Sequence, residues 1–318
     1  MKMTPTNALI LSLPLLFATA SCSKQQIPES VKPTSSSSIV GGEEITSYES
    51  DIGRHTVAII ANSGNCTGTI IRHDLILTAA HCVNEVAFKN QIYFTLNIAE
   101  TIMEGDPRMY VSLVDPETGE KFILHKSARL ASKVIINDLY DESAEAAVEN
   151  DTGDLALLKF EGGLPEQYQP VRLLDNSKLL KKDAAVNIAG YGSIAVNAEE
   201  ITEQQRRRHE SLGAFVIEDE GKLYAVSYLE GSQLKTAQVK YNTETPNELV
   251  VLSQSENGAA CSGDSGGPAF LRNNNGEYLL FGVAAMSDIT CSSESYYTNV
   301  TSPKSRAWLR KAIEEMDR

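Results

Sequence analysis

From Arg54 onward the chain alternates short apolar runs with polar breaks. His55-Thr56-Val57-Ala58-Ile59-Ile60 is β-branched and ends at Asn62-Ser63-Gly64-Asn65, a turn sequence. Branched side chains crowd a helix but suit a pleated strand. Residues 67–71 and 75–78 predict two more strands, separated by Arg72-His73-Asp74. The rhythm continues at 92–96, 110–114, 122–124, 155–160, 185–189, 215–217, 223–228, 237–241, 249–253, 278–284 and 296–298, with a turn at 115–119. Short strands at short intervals predict an all-β barrel or sandwich. The polar stretches 141–149 and 199–203 read as surface loops. One helix is predicted, capped by Ser302, opened by Pro303 and striped by Ala307, Leu309, Ala312 and Ile313.

The N-terminal pattern differs. Behind Lys2, residues 8–20 are apolar except for Ser12, Pro14 and Thr19. That is too short to span a bilayer and suits the central region of an export signal, here 1–21. Two processing readings stay open. Ala18-Thr19-Ala20 fits a small-x-small cleavage site that yields a secreted product. Thr19-Ala20-Ser21-Cys22 resembles a bacterial lipoprotein signal, with lipid on the Cys22 sulfur and the product held at the cell envelope, although that pattern prefers Leu where Thr19 stands. Residues 22–38, rich in Ser, Pro, Gln and Lys, form a tether or pro-segment. Then Ile39-Val40-Gly41-Gly42 returns abruptly to apolar character.

Composition narrows the partners. The formal net charge of -14 argues against nucleic acid. The basic cluster Arg206-Arg207-Arg208, flanked by Glu203 and Glu210, reads as a solvated loop or strand face. No required metal is indicated, and the acidic loops lack calcium-loop spacing. Five cysteines leave one over from any complete pairing.

Three separated segments carry candidate chemistry. In Gly263-Asp264-Ser265-Gly266-Gly267-Pro268 a serine sits among glycines, where a substrate carbonyl could approach main-chain N–H groups. Alone, the string is also an ordinary turn. A serine hydroxyl is a poor nucleophile at neutral pH and needs a base such as histidine. Thr78-Ala79-Ala80-His81-Cys82 offers one, though a histidine taken alone is more often a satisfied core residue. Gly153-Asp154-Leu155-Ala156-Leu157-Leu158 offers a carboxylate.

In this order, and with Ile39-Val40-Gly41-Gly42 ahead of them, these segments resemble the trypsin/chymotrypsin-like serine endopeptidases from Ile39 to the C-terminal helix. The resemblance implies two antiparallel six-stranded β-barrels with a catalytic cleft between them, plus the helix. It divides the chain into a peptidase domain at 39–318, with barrel one at about 52–160, barrel two at about 184–300 and the helix at 303–316. It implies Ser265 as nucleophile, His81 as base, Asp154 as the partner that orients His81, and the N–H groups of Gly263 and Ser265 as the oxyanion hole. Cleavage before Ile39 would free an ammonium to pair with Asp264, making the chain a zymogen; otherwise Asp264 simply caps a turn. The implied disulfides are Cys66–Cys82 and Cys261–Cys291, which leaves Cys22. Ala259 would floor the primary pocket, with Ser287 and Ser295 where wide pockets have glycines. This implies a shallow, uncharged pocket for small residues, with Asp288 the group that could draw a basic side chain to the rim. Ser38 precedes Ile39, so such a pocket could cut there itself. The expected product is a cofactor-free monomer acting on protein or peptide substrates. Two rivals are a silent binding member of the family and a viral-type or glutamyl-selective protease of the same fold.

Overall fold

The computed structural model describes residues 39–61, 64–83, 85–103, 107–114, 119, 121–141, 153–219, 221–255, 258–288 and 290–318. The expected signal at 1–21, the tether at 22–38 and Cys22 lie outside them. Strand β1 (Glu43–Glu44) and helix α1 (Asp51–His55) lead into β2 (Thr56–Ala61), β3 (Gly64–Arg72), β4 (Leu75–Thr78) and β5 (Gln91–Tyr93). Helix α2 (Ile98–Met103) and the hairpin of β6 (Tyr110–Val114) and β7 (Lys121–His125) precede β8 (Ala128–Ile136) and β9 (Ala156–Phe160). Antiparallel pairing in the order β2-β3-β4-β9-β8-β5 returns to β2 and closes a six-stranded barrel. Val57, Ile59, Ile70, Ile76, Leu77, Ile92 and Leu157 are fully buried in it. Closure leaves no exposed strand edge.

The second half begins with β10 (Arg172–Leu173) and β11 (Ala185–Gly190), then inserts β12 (Ala195–Ile201), helix α3 (Glu203–Ser211), β13 (Phe215–Asp219) and β14 (Lys222–Leu229). The chain continues through β15 (Lys235–Glu244), β16 (Leu249–Ser253), β17 (Pro268–Arg272), β18 (Tyr278–Ser287) and β19 (Glu294–Asn299) to helix α4 (Pro303–Met316). The ladder β15-β11-β17-β18-β19-β16 closes because β16 also pairs with β15. The fold is therefore two six-stranded antiparallel barrels with a C-terminal helix, as the family resemblance implies.

Three local readings need correction. Residues 199–203 are not a loop: β12 runs to Ile201 and pairs with β14, so its acidic side chains face water from a strand. The three arginines lie on helix α3, which buries none of its residues and opens on a capping box of Thr202 and Gln205. On α4 the Ser302 cap holds, its hydroxyl accepting from Ser305 N at 3.2 Å. The buried stripe, however, is Ser305, Trp308, Leu309, Ala312 and Met316, while Ala307 is exposed. Spacing of three, four and seven residues along one face explains that choice.

Candidate active site

Pairing of β4 with β9 sets Thr78 opposite Ala156. His81 follows three residues after Thr78, on a tight helical turn of Ala80–Cys82, and Asp154 lies two residues before Ala156. One strand pair thus delivers both side chains to the same end of barrel one. Asp154 is buried and grips His81 twice: Oδ1 accepts the His81 backbone N–H at 3.0 Å and Oδ2 accepts Nδ1–H at 2.7 Å. A carboxylate only accepts, so this contact fixes the proton on Nδ1 and leaves the Nε2 lone pair outward. Burial alone would lower the His81 pKa. The hydrogen bond and the charge of Asp154 outweigh it and hold the pKa above 6.5. Beneath the ring, Cys66 and Cys82 form a disulfide that ties β3 to this turn. Their sulfurs sit close to His81, but a disulfide is not a thiolate pair for a metal.

Ser265 comes from barrel two, on the turn between Cys261 and β17. Asp264 N donates to Cys261 O at 3.0 Å, Gly267 N to Asp264 O at 2.9 Å and Gly266 N to Ala284 O at 2.8 Å. Barrel one reaches across through Thr67. Its N–H donates to Ser265 O at 2.8 Å, and its hydroxyl donates to Gly263 O at 3.3 Å while accepting from Tyr191 N at 3.2 Å. Gly266 is needed here: its φ is +76°, and a Cβ would stand 2.1 Å from Thr78 Oγ1. The N–H groups of Gly263 and Ser265 donate to no group among the described residues. His81 and Ser265 are brought to facing walls, but no hydrogen bond joins Oγ to Nε2, which instead lies 3.8 Å from Cys82 Sγ.

Asp264 points inward. Its Oδ1 accepts from Gly192 N at 2.8 Å and Oδ2 from Cys261 N at 2.9 Å. Burial pushes its pKa up to about 7, against the downward pull of the Cys261 and Gly192 hydrogen bonds. A Cβ on Gly192 would sit 2.5 Å from the Asp264 carboxyl carbon, so a larger residue would eject this side chain. Ile39 is fully buried in the barrel-two core, and Val40 bridges Ala259, whose N–H donates to Val40 O at 3.0 Å.

Beside Ser265 opens a cavity of about 300 Å³ whose lining includes Ala260, Ser262, Ala284, Met286 and Ser287. Ala259 and Ser295 are fully buried and are not in that lining. Cys261 and Cys291 form the second disulfide along its edge. Asp288 lines the cavity but spends its carboxylate on its own loop, accepting from Thr290 Oγ1 at 2.7 Å, Ser293 N at 2.8 Å and Glu294 N at 3.1 Å. Burial alone would raise its pKa; these hydrogen bonds prevail and hold it below the ordinary value.

The family model for trypsin matches residues 39–309. The chain belongs to the trypsin family. Among curated relatives of the family, trypsin epsilon of Drosophila erecta is 22% identical over 263 residues, covering 81% of this chain and 83% of its own. Transmembrane protease serine 11A of Homo sapiens is 22% identical over 298 residues, covering 93% of this chain and 59% of its own. As a member of the trypsin family the chain is a serine endopeptidase, a hydrolase of protein or peptide substrates. No helix among the described residues is long and apolar enough to cross a membrane.

Several residues around this trypsin-family site escaped the sequence reading. Thr67 and Gly192 act through hydrogen bonds and clearance, and neither stands in a chemical motif. Phe215 and Tyr228, which line the cavity beside Ser265, come from the inserted sheet. The only sequence signal for them was an aromatic in each of two short β-rich runs.

Proposed function

We propose that this endopeptidase cuts peptide bonds through Ser265, His81 and Asp154, and that it is made as a precursor activated by cleavage before Ile39. The double grip of Asp154 on His81 is the observation that carries the reading. With Nδ1–H held, Nε2 takes the proton from Ser265 Oγ as the hydroxyl attacks the substrate carbonyl. The negative oxygen is received by the uncommitted N–H groups of Gly263 and Ser265. His81 then gives its proton to the leaving amine, and a water activated by His81 releases the acyl group from Ser265. The Oγ–Nε2 hydrogen bond forms when substrate fills the cleft, since such contacts are often long in the free enzyme. The test is labelling with a fluorophosphonate. Ser265 takes the probe in processed wild-type protein, and Ser265→Ala loses labelling with peptide hydrolysis falling about 10⁵–10⁶-fold. Processed protein that neither labels nor cleaves would instead be the silent binding member.

The activation step rests on Asp264 and Ile39. A buried carboxylate with a raised pKa lacks a cation, and the ammonium freed at Ile39 supplies one. Ile39 has φ 46°, a left-handed backbone that a β-branched residue rarely adopts, and cutting the bond before it relieves that strain. The primary pocket takes small uncharged residues. In support, its lining stops short of Ala259 and Ser295, and Asp288 turns its charge into its own loop. Cleavage profiling on a peptide library tests this: a preference for Arg, Lys or Glu before the cut would overturn it. Trimming at Ser38–Ile39 is self-catalysed, and the Ser265→Ala precursor stays uncut if so. The chain is exported, with lipid on Cys22, the cysteine left over once the other four pair. Cys22→Ser would move it from the membrane to the soluble fraction.

A further inference from the structure

The segment between Tyr191 and Lys235 builds a small sheet of its own, β12-β14-β13, beside the nucleophile turn. Its central feature is an aromatic left in water. Phe215 is 65% exposed, its ring centroid 6.0 Å from that of Tyr228 and tilted by 58°. A single exposed apolar side chain is ordinary on a protein surface, so what distinguishes this ring is its place beside the nucleophile turn. Both aromatics line two separate cavities. One is the cavity beside Ser265. The other, about 290 Å³, shares Ser262 with the first and is lined also by Gly64, Asn65, Gly192 and Gly263.

The chemistry says which part of a substrate enters the second cavity. The amine that leaves must depart toward His81, which protonates it. His81 stands on the turn joined to β3 by the disulfide of Cys66 and Cys82, and Gly64 and Asn65 are the β3 residues immediately before Cys66. Chain following the cut bond therefore runs into the cavity bordered by Asn65 and Gly263, where Phe215 forms a wall.

We propose that Phe215, flanked by Tyr228, is a specificity-determining residue that packs against the substrate residue following the cut bond and selects a bulky apolar side chain there. This rests on the assignment of Ser265 and His81 above. Substrate binding would cover the exposed ring, and that burial is gained only with an apolar neighbour. An exposed position tolerates substitution with little effect on folding.

The test compares wild type, Phe215→Ala and Phe215→Leu, each processed before Ile39, on internally quenched peptides that differ only in the residue after the cut: Gly, Ala, Leu or Phe. Rates are normalised to serines titrated with a fluorophosphonate. Wild type prefers Leu and Phe over Gly. In Phe215→Ala, kcat/KM for the Leu and Phe peptides falls about tenfold while the Gly peptide stays within about twofold, and Phe215→Leu keeps most of the preference. An unchanged ranking in Phe215→Ala, or an equal slowing of all four peptides, overturns the role of Phe215 while leaving the assignment of Ser265 intact. If wild-type Ser265 takes no probe and Ser265→Ala cleaves as wild type does, the assignment itself fails and this inference falls with it.

Discussion

The two barrels hold their shares of the site in opposite ways. Barrel one presents His81 and Asp154 already locked. Two hydrogen bonds, a buried carboxylate and a paired strand define the geometry with nothing further required. Barrel two presents Ser265 on a turn whose shape depends on Asp264, a buried carboxylate held by N–H groups alone. One half is finished when the chain folds, whereas the other is conditional on charge. On the proposed activation, control of the activity belongs to barrel two, where one proton or one ammonium decides the balance.

The largest expected effect tests the finished half. Asp154→Asn keeps the size but lets the side chain donate to Nδ1, which puts the proton on Nε2. Hydrolysis should fall about 10⁴-fold with the melting temperature little changed. A loss below tenfold would mean that the Asp154 grip is not what orients the base. The next tests the conditional half. Asp264→Asn in processed protein removes the charge proposed to hold the Gly263 and Ser265 N–H groups in place, and kcat should fall about 10²–10³-fold. The same substitution separates the halves by pH in the uncut chain. With the folded pKa pushed up to about 7 from 3.8, the folded protein keeps a proton that the unfolded chain has released. Stability therefore falls as pH rises between those values, by roughly 4 kcal/mol in all. Denaturant midpoints should drop from pH 4 to 7 in wild type by more than in Asp264→Asn, and equal slopes would refute the buried, unpaired carboxylate. The smallest effect returns to barrel one. His81 must be neutral to act and its pKa is raised, so the acid limb of kcat/KM should lie above 6.5. A limb at or below 6.5 would show that Asp154 does not dominate its surroundings.

Legibility in the sequence followed the same division. The strands rich in Val, Ile and Leu were readable because buried faces demand a periodic pattern. β8 was missed because Arg129, Ser132 and Lys133 interrupt it, and β12 because Asn197, Glu199 and Glu200 do the same. Both are held as strands by their neighbours in the ladder, which a local reading does not see. His81, Asp154 and Ser265 stand in compact motifs and were found together. Thr67, Gly192 and Phe215 were not, since their roles exist only once distant segments meet. Of the three residues assigned to the pocket, Ser287 reaches the cavity beside Ser265, while Ala259 and Ser295 are fully buried and outside its lining.

Helix α4 adds a mechanical consequence. It leaves barrel two through β19 but fastens to barrel one, with Lys133 Nζ donating to Glu315 O at 2.6 Å, Arg72 paired to Asp317 at 2.7 Å and Trp308, Leu309, Ala312 and Met316 packed into the shared core. It also holds the chain between the barrels, since Arg306 donates to Leu174 O at 2.6 Å. The helix works as a strap that joins the two halves. Any opening of the walls that carry His81 and Ser265 has to stretch that strap, so a helix that lines neither cavity helps to set the width of the gap.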